Sequence, residues 1–190
     1  DLAASNVGGN LSATAATGNV IDSGTISVGG SSSFATQQDN ADIFIDTLAA
    51  AGTISLNTRG LTGNAIVINA TAVDLGESTI NGLLSAIALT GNVTDSGAIR
   101  VRSVASLRAI AENADVVADQ LDVSGSIAVT TNGTGGNATI VNTTDIDLGP
   151  SDISGNLTVT ATSGDITDAG TIVVGGQTTL ATLEDGANIT

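Results

Sequence analysis

What the chain lacks already limits its chemistry. It contains no Cys, Met, Trp, Tyr, His or Lys, one Pro, and only two aromatic residues, Phe34 and Phe44, in 190 positions. Without Cys there are no disulfide staples and no thiolate metal sites. Without His, Lys or Cys, the base that activates a Ser or Cys nucleophile is missing, so no catalytic residues are assigned. Basic residues are scarce: four Arg (Arg59, Arg100, Arg102, Arg108) stand against 19 acidic residues, a formal charge of −15. Such a surface repels phosphate backbones, which excludes nucleic acid as a partner, and the same argument excludes anionic membrane surfaces. Long apolar runs are absent too, so no transmembrane helix is encoded. Two Phe cannot build the aromatic girdles of a membrane β-barrel. No basic segment followed by an apolar one opens the chain as a signal peptide would, and because the sequence starts in mid-pattern it reads as an excerpt of a longer protein.

What is present is aliphatic. Hydrophobic residues make up 41% of the chain and are almost all Ala, Val, Ile and Leu, too many for a disordered polymer. Thick cores rely on large aromatic side chains; this composition suits a thin interior of stacked small side chains.

The chain repeats itself without gaps every 73 residues. DLAASNVGGNLSATAATGNVIDSGTISV begins at Asp1, DLGESTINGLLSAIALTGNVTDSGAIRV at Asp74 and DLGPSDISGNLTVTATSGDITDAGTIVV at Asp147. Residues 1–73 and 74–146 are complete copies and 147–190 is a partial third. Positions identical in all three are either apolar (Leu2/Leu75/Leu148, Leu11/Leu84/Leu157, Ala15/Ala88/Ala161, Ile26/Ile99/Ile172, Val28/Val101/Val174) or turn formers (Gly9/Gly82/Gly155, Gly18/Gly91/Gly164, Asp22/Asp95/Asp168, Gly24/Gly97/Gly170).

Within each copy the apolar period is two. Leu157, Val159 and Ala161 alternate with Thr158, Thr160 and Thr162; Ile43 and Ile45 flank Phe44; Ile54 and Leu56 flank Ser55. Short alternating runs bounded by Gly, Asn, Asp and Ser predict strands and turns. The best helix candidate, Ser103 to Ala118, is broken by Glu112, Asn113 and Asp115, and copy one carries Gly30-Ser31-Ser32-Ser33 at its start. The fold class is therefore all-β. A period of 73 exceeds both a propeller blade and a single solenoid coil. Strand starts near Leu11, Phe34 and Ile54 divide each copy into about three coils of ~24 residues. Parallel coils stacked at ~4.8 Å would make a rod about 38 Å long, with Gly and Asn at corners that need φ > 0 and an interior too narrow for aromatics. Such arrays are held by contacts between neighbours.

Residues GNLTVTATSGDITDAGTIVVGGQTTLAT (Gly155 to Thr182) resemble the repeats of filamentous-haemagglutinin-type adhesins, the large exoproteins of two-partner secretion in Gram-negative bacteria. Copies one and two follow the same template, so the resemblance covers essentially the whole chain. It implies a right-handed parallel β-helix, export to the cell surface or medium through an outer-membrane transporter, and a role in adhesion or biofilm. The family's secretion domain is not among these residues.

Several residues invite a functional reading. Paired carboxylates (Asp42 with Asp46, Asp145 with Asp147) have the chemistry of glycosidases, but they lie near strand edges and turns with no Trp or Tyr to hold a sugar. Asp22, Asp95 and Asp168 could offer oxygen to Ca²⁺; their Asp-(Ser/Ala)-Gly setting favours a turn in which the carboxylate bonds the backbone two residues on, and the Ca²⁺-binding nonapeptide of other solenoids is missing. No metal or cofactor site is assigned. Arg100, Arg102 and Arg108 form a basic cluster in copy two, either balanced by Glu112 and Asp115 or available to an acidic polysaccharide or a neighbouring copy. Thr158, Thr160 and Thr162 suggest an ice-binding ladder that Ser85, Ile87 and Leu89 fail to continue. Sequons at Asn10, Asn92 and Asn156 are explained by composition. The expectation is a non-catalytic stalk segment of an extracellular adhesin, a carbohydrate- or ice-binding module being the alternative.

Overall fold

A computed structural model describing residues 1–190 shows a parallel β-solenoid of about eight turns, without helices. The alternation sets each strand's faces. In Leu84–Ala88, Leu84, Ala86 and Ala88 are buried while Ser85 and Ile87 point outward. The stretch Ser103 to Ala118 is likewise extended, forming Ala105–Glu112 and the start of Val116–Val123.

Strands pair in parallel with residues 19 to 23 positions away, so one coil takes about 21 residues. Each coil passes once through a twelve-stranded and once through an eleven-stranded sheet. One side of most coils is straight, as in Leu84–Ala88, although Ser32–Asp39 and Ala105–Glu112 carry a register shift near their ends. The other is longer and bent. It is either two short strands, such as Val93–Asp95 and Ile99–Val101, or one eight-residue strand with an irregular middle, such as Val116–Val123. The two forms stack: Val93 pairs with Val116 and Ile99 with Leu121.

The copies do not stack on one another in phase. Leu11–Ala15 belongs to the eleven-stranded sheet, its counterpart Leu84–Ala88 to the twelve-stranded one, and Leu157–Ala161 to the eleven-stranded one again. Every strand changes sheets in this way when followed 73 residues on. A copy is therefore about three and a half coils, not three, and successive copies are related by a half-turn about the rod axis. The source of the miscount is visible in the pairing. Leu11, Ser32 and Ile54 do lie above one another, one coil apart. The next coil on that side is reached at Leu75, whereas Leu84, taken as the next start, sits on the opposite side.

Forty buried side chains form one hydrophobic cluster through the rod. At ~1.5–3 kcal/mol for each fully buried Val, Leu or Ile, these stacks hold coil to coil. Leu84 lies between Ala65 and Ala105, and Ala86 between Val67 and Leu107, so in these two stacks small residues sit against larger ones. The core also admits one aromatic. Phe34 is fully buried between Ala13 and Leu56, so the interior is wider than the composition implied; copy two has Leu107 at this position.

The turn glycines divide by cause. Gly18, Gly91 and Gly164 have φ of +74°, +87° and +81°, the region glycine enters freely. Gly97 and Gly170 have no such φ; a Cβ on Gly97 would collide with the Glu77 nitrogen, and one on Gly170 would meet Pro150. They are glycine because the preceding coil passes too close.

Candidate functional surfaces

The polar side chains at the corners are engaged mainly with the next coil. Asn92 accepts from the Asp115 backbone N–H, Asp115 from the N–H and side-chain amide of Asn137, Asn137 from the Asn156 N–H, and Asn156 from the Gln177 N–H. A matching ladder runs Asn19, Asp42, Asn64 and on to the Leu83 N–H. Asn10 does the same toward Ser31. The recurrence of Asn10, Asn92 and Asn156 thus has a structural cause: each amide oxygen fills a corner N–H of the following coil. The supposed carboxylate pairs are drawn into the same work. Asp42 and Asp145 are ladder rungs, Asp145 accepting from the Asp165 N–H at 2.8 Å.

Asp22 and Asp95 behave differently from the turn anticipated. Their carboxylates do not bond the backbone two residues on; they reach 24 and 25 residues ahead. Asp22 accepts from the N–H groups of Asp46 and Thr47 (3.1 and 2.9 Å) and from the Thr47 hydroxyl. Asp95 accepts from those of Asp119 and Gln120 (3.0 and 2.9 Å). Those donors sit in the irregular middles of Ile43–Ala50 and Val116–Val123, where strand register shifts and ladder partners are lost. Burial pushes the Asp95 carboxyl above its usual value, with the neighbouring Asp119 adding to the effect, while the two backbone bonds oppose it. Asp168 holds the corresponding place in the last coil and is exposed.

The arginines are split. Arg100 projects from Ile99–Val101 and meets Asp122, its register partner on the next coil, at 3.5 Å. Arg102 follows on the same side, lining a shallow groove of about 330 Å³ with Thr79, Asn81 and Ser124. Arg108 lies on the other sheet, in register with Ile87 and Thr130. The passage of the chain from one side of the coil to the other separates what the sequence places together, and Glu112 and Asp115 form no ion pair with any of the three. Arg59 pairs with Asp39 at 3.8 Å, both highly exposed.

The threonines need a different comparison. Ser85, Ile87 and Leu89 are not the ladder neighbours of Thr158, Thr160 and Thr162, because they occupy the opposite sheet. The true neighbours are one coil away. There Thr139, Thr158 and Thr179 form one in-register column, while Thr160 lies between Val141 and Ala181. One column of three is present, not a paired Thr-x-Thr array.

Sequence reading overlooked the polar groups inside the core. Asn69 and Asn142 are fully buried. Asn69 accepts from the Ala50 N–H and donates to the carbonyls of Ala50 and Ala72 and to the Thr71 hydroxyl; Asn142 makes the equivalent bonds to Val123, Asp145 and Thr144. Their signal was present: each continues the inward phase set by Ala65 and Val67, or by Ala138 and Ile140.

These features define a β-solenoid whose polar residues chiefly join coil to coil. The chain belongs to a family of repeats of unknown function (DUF5649), whose profile matches residues 1–57, 62–118 and 135–190; the last two matches begin one 73-residue period apart. No curated protein and no solved structure matches the chain.

Proposed function

We propose that the chain is a spacer in the stalk of a secreted or cell-surface bacterial adhesin of the filamentous-haemagglutinin type, serving adhesion or biofilm formation with no catalysis of its own. The observation that supports this reading is continuity. Parallel pairing links coil to coil from the first to the last, and the half-turn between copies does not interrupt the core. A rod of this kind lengthens by about 17 Å with each copy and keeps a distal domain away from the surface. The corner carboxylates and amides fit the same reading, since they are occupied in holding coils together.

The test is topological. Antibodies raised against this segment should label intact, unpermeabilised cells that express the parent protein, and in-frame removal of residues 1–146 should reduce adhesion while leaving export intact. Labelling only after permeabilisation would refute the proposal. The column Thr139–Thr158–Thr179 favours a second reading, a face that binds ice or carbohydrate. Ice-recrystallisation and glycan-array assays on wild type and Thr158→Val decide it: activity lost in the variant supports that reading, and inactivity of the wild type removes it.

A further inference from the structure

One outward face differs from the rest of the rod. On the twelve-stranded sheet, Ile21, Phe44 and Ile66 form one in-register column, and Ile68 and Ile87 lie side by side in the next, with Leu89 just beyond. Phe44 is 41% exposed and Leu89 46%. A groove of about 490 Å³ runs beside Ile21, Phe44 and Ile66. The fold does not require this apolarity. The same six positions one copy on are Thr94, Val117, Thr139, Val141, Thr160 and Thr162, carried on the opposite sheet in the same strand geometry.

The charges at the ends of the second column indicate what covers the face. Below Ile68, at the step where register passes from Ile45–Val67 to Leu48–Asn69, stands Asp46. Above Ile87 stands Arg108, exposed and without a carboxylate within 4 Å. Along the rod the column reads acid, Ile, Ile, Arg, which is complementary to itself when reversed. We propose that this face pairs with the same face of a second copy running antiparallel, about a two-fold axis lying in the interface and perpendicular to both rods. Asp46 of each copy then meets Arg108 of the other and Ile68 packs on Ile87, while in the first column Ile66 lies against Ser85 and Phe44 against Ser106. Parallel pairing would set Asp46 level with Asp46 and is disfavoured. The face is small: five residues by four coils is roughly 300 Å² per partner, against about 800 Å² in a stable interface. A single pairing is therefore weak.

Sedimentation equilibrium up to about 1 mM protein, where weak association registers, tests the proposal. The wild-type chain should dimerise. Ile66→Thr with Ile87→Thr, the residues that the neighbouring copies carry at Thr139 and Thr160, should keep the circular dichroism and melting temperature and raise Kd roughly tenfold or more. Arg108→Asp should also weaken the dimer, and adding Asp46→Arg should restore it. X-ray scattering of the dimer should show little increase in maximum dimension. A chain that stays monomeric throughout, association indifferent to the isoleucine pair, failure of the charge swap to restore, or a doubled maximum dimension from end-to-end joining would each overturn it.

Discussion

At the scale of single residues, what secures this rod is a few polar atoms placed where strand pairing lapses. Asn69 stands opposite Leu48, just past the register shift in Ile43–Ala50, and supplies both an acceptor and a donor to the peptide groups of Ala50. Truncation leaves that buried N–H unpaired and strips the carbonyl of one of its two donors, and burying an unpaired polar group costs on the order of 1–3 kcal/mol. Asn69→Ala should therefore lower unfolding stability by roughly 2–4 kcal/mol in chemical denaturation. Asn142→Ala should do so by a similar amount, since its bonds are the same. Asn69→Leu should not recover the loss, because it restores volume and no hydrogen bond; a Leu variant as stable as wild type would show that these bonds contribute little. The sequence displays both asparagines at inward phase, yet nothing in alternation distinguishes a buried amide from one at a strand's end. The lapse that each repairs exists only between coils, so its reason lay beyond a reading along the chain.

At the scale of the strand, the two eight-residue bent strands Ile43–Ala50 and Val116–Val123 each depend on a carboxylate of the coil before. Asp95 holds the N–H groups of Asp119 and Gln120 and so stabilises the irregular step in Val116–Val123. Its folded-state carboxyl titrates higher than in the unfolded chain because burial outweighs these bonds. A carboxyl raised by folding contributes stability in its protonated form. That contribution is complete below the ordinary carboxylate range and is lost as pH rises through the raised value. The stability of wild type minus that of Asp95→Asn should accordingly increase as pH falls from neutrality into the carboxylate range. A flat or falling difference, measured by denaturation across that range, would reject this role for burial. Strand positions and the all-β class were legible because period two is a local property of the chain. The Asp22 and Asp95 contacts were misassigned to their own turns because Asp-(Ser/Ala)-Gly has a plausible local partner, and the sequence does not display the neighbour one coil away.

At the scale of the whole molecule, coil length and repeat length are incommensurate by half a coil, and the distribution of surface chemistry follows from this. The 73-residue period was plain in the sequence; its division was not, since straight and bent sides both present short alternating runs. Arg108 is parted from Arg100 and Arg102 simply because consecutive strands of a coil lie on opposite sheets, whereas the half-turn gives the column Thr139–Thr158–Thr179 a different sheet from the apolar face. It also makes one whole copy a natural unit of excision. Removing residues 74–146 joins Val73 to Asp147, reproducing the Val73–Asp74 junction in sequence and placing Leu157–Ala161 on Ala65–Asn69 where Leu84–Ala88 was. The shortened chain should keep its β-sheet circular dichroism, melt in a single transition and lose about 17 Å of length. Downstream faces should exchange. Spin labels at Ser33→Cys and Thr158→Cys, on one sheet and six coils apart in the intact chain, should lie about 29 Å apart before excision. Afterwards they should stand on opposite sheets two and a half coils apart, more than about 20 Å once the ~10 Å between sheets and the outward side chains are included. Were a copy three whole coils, the labels would stay on one face, about 14 Å apart, and the half-turn would be wrong.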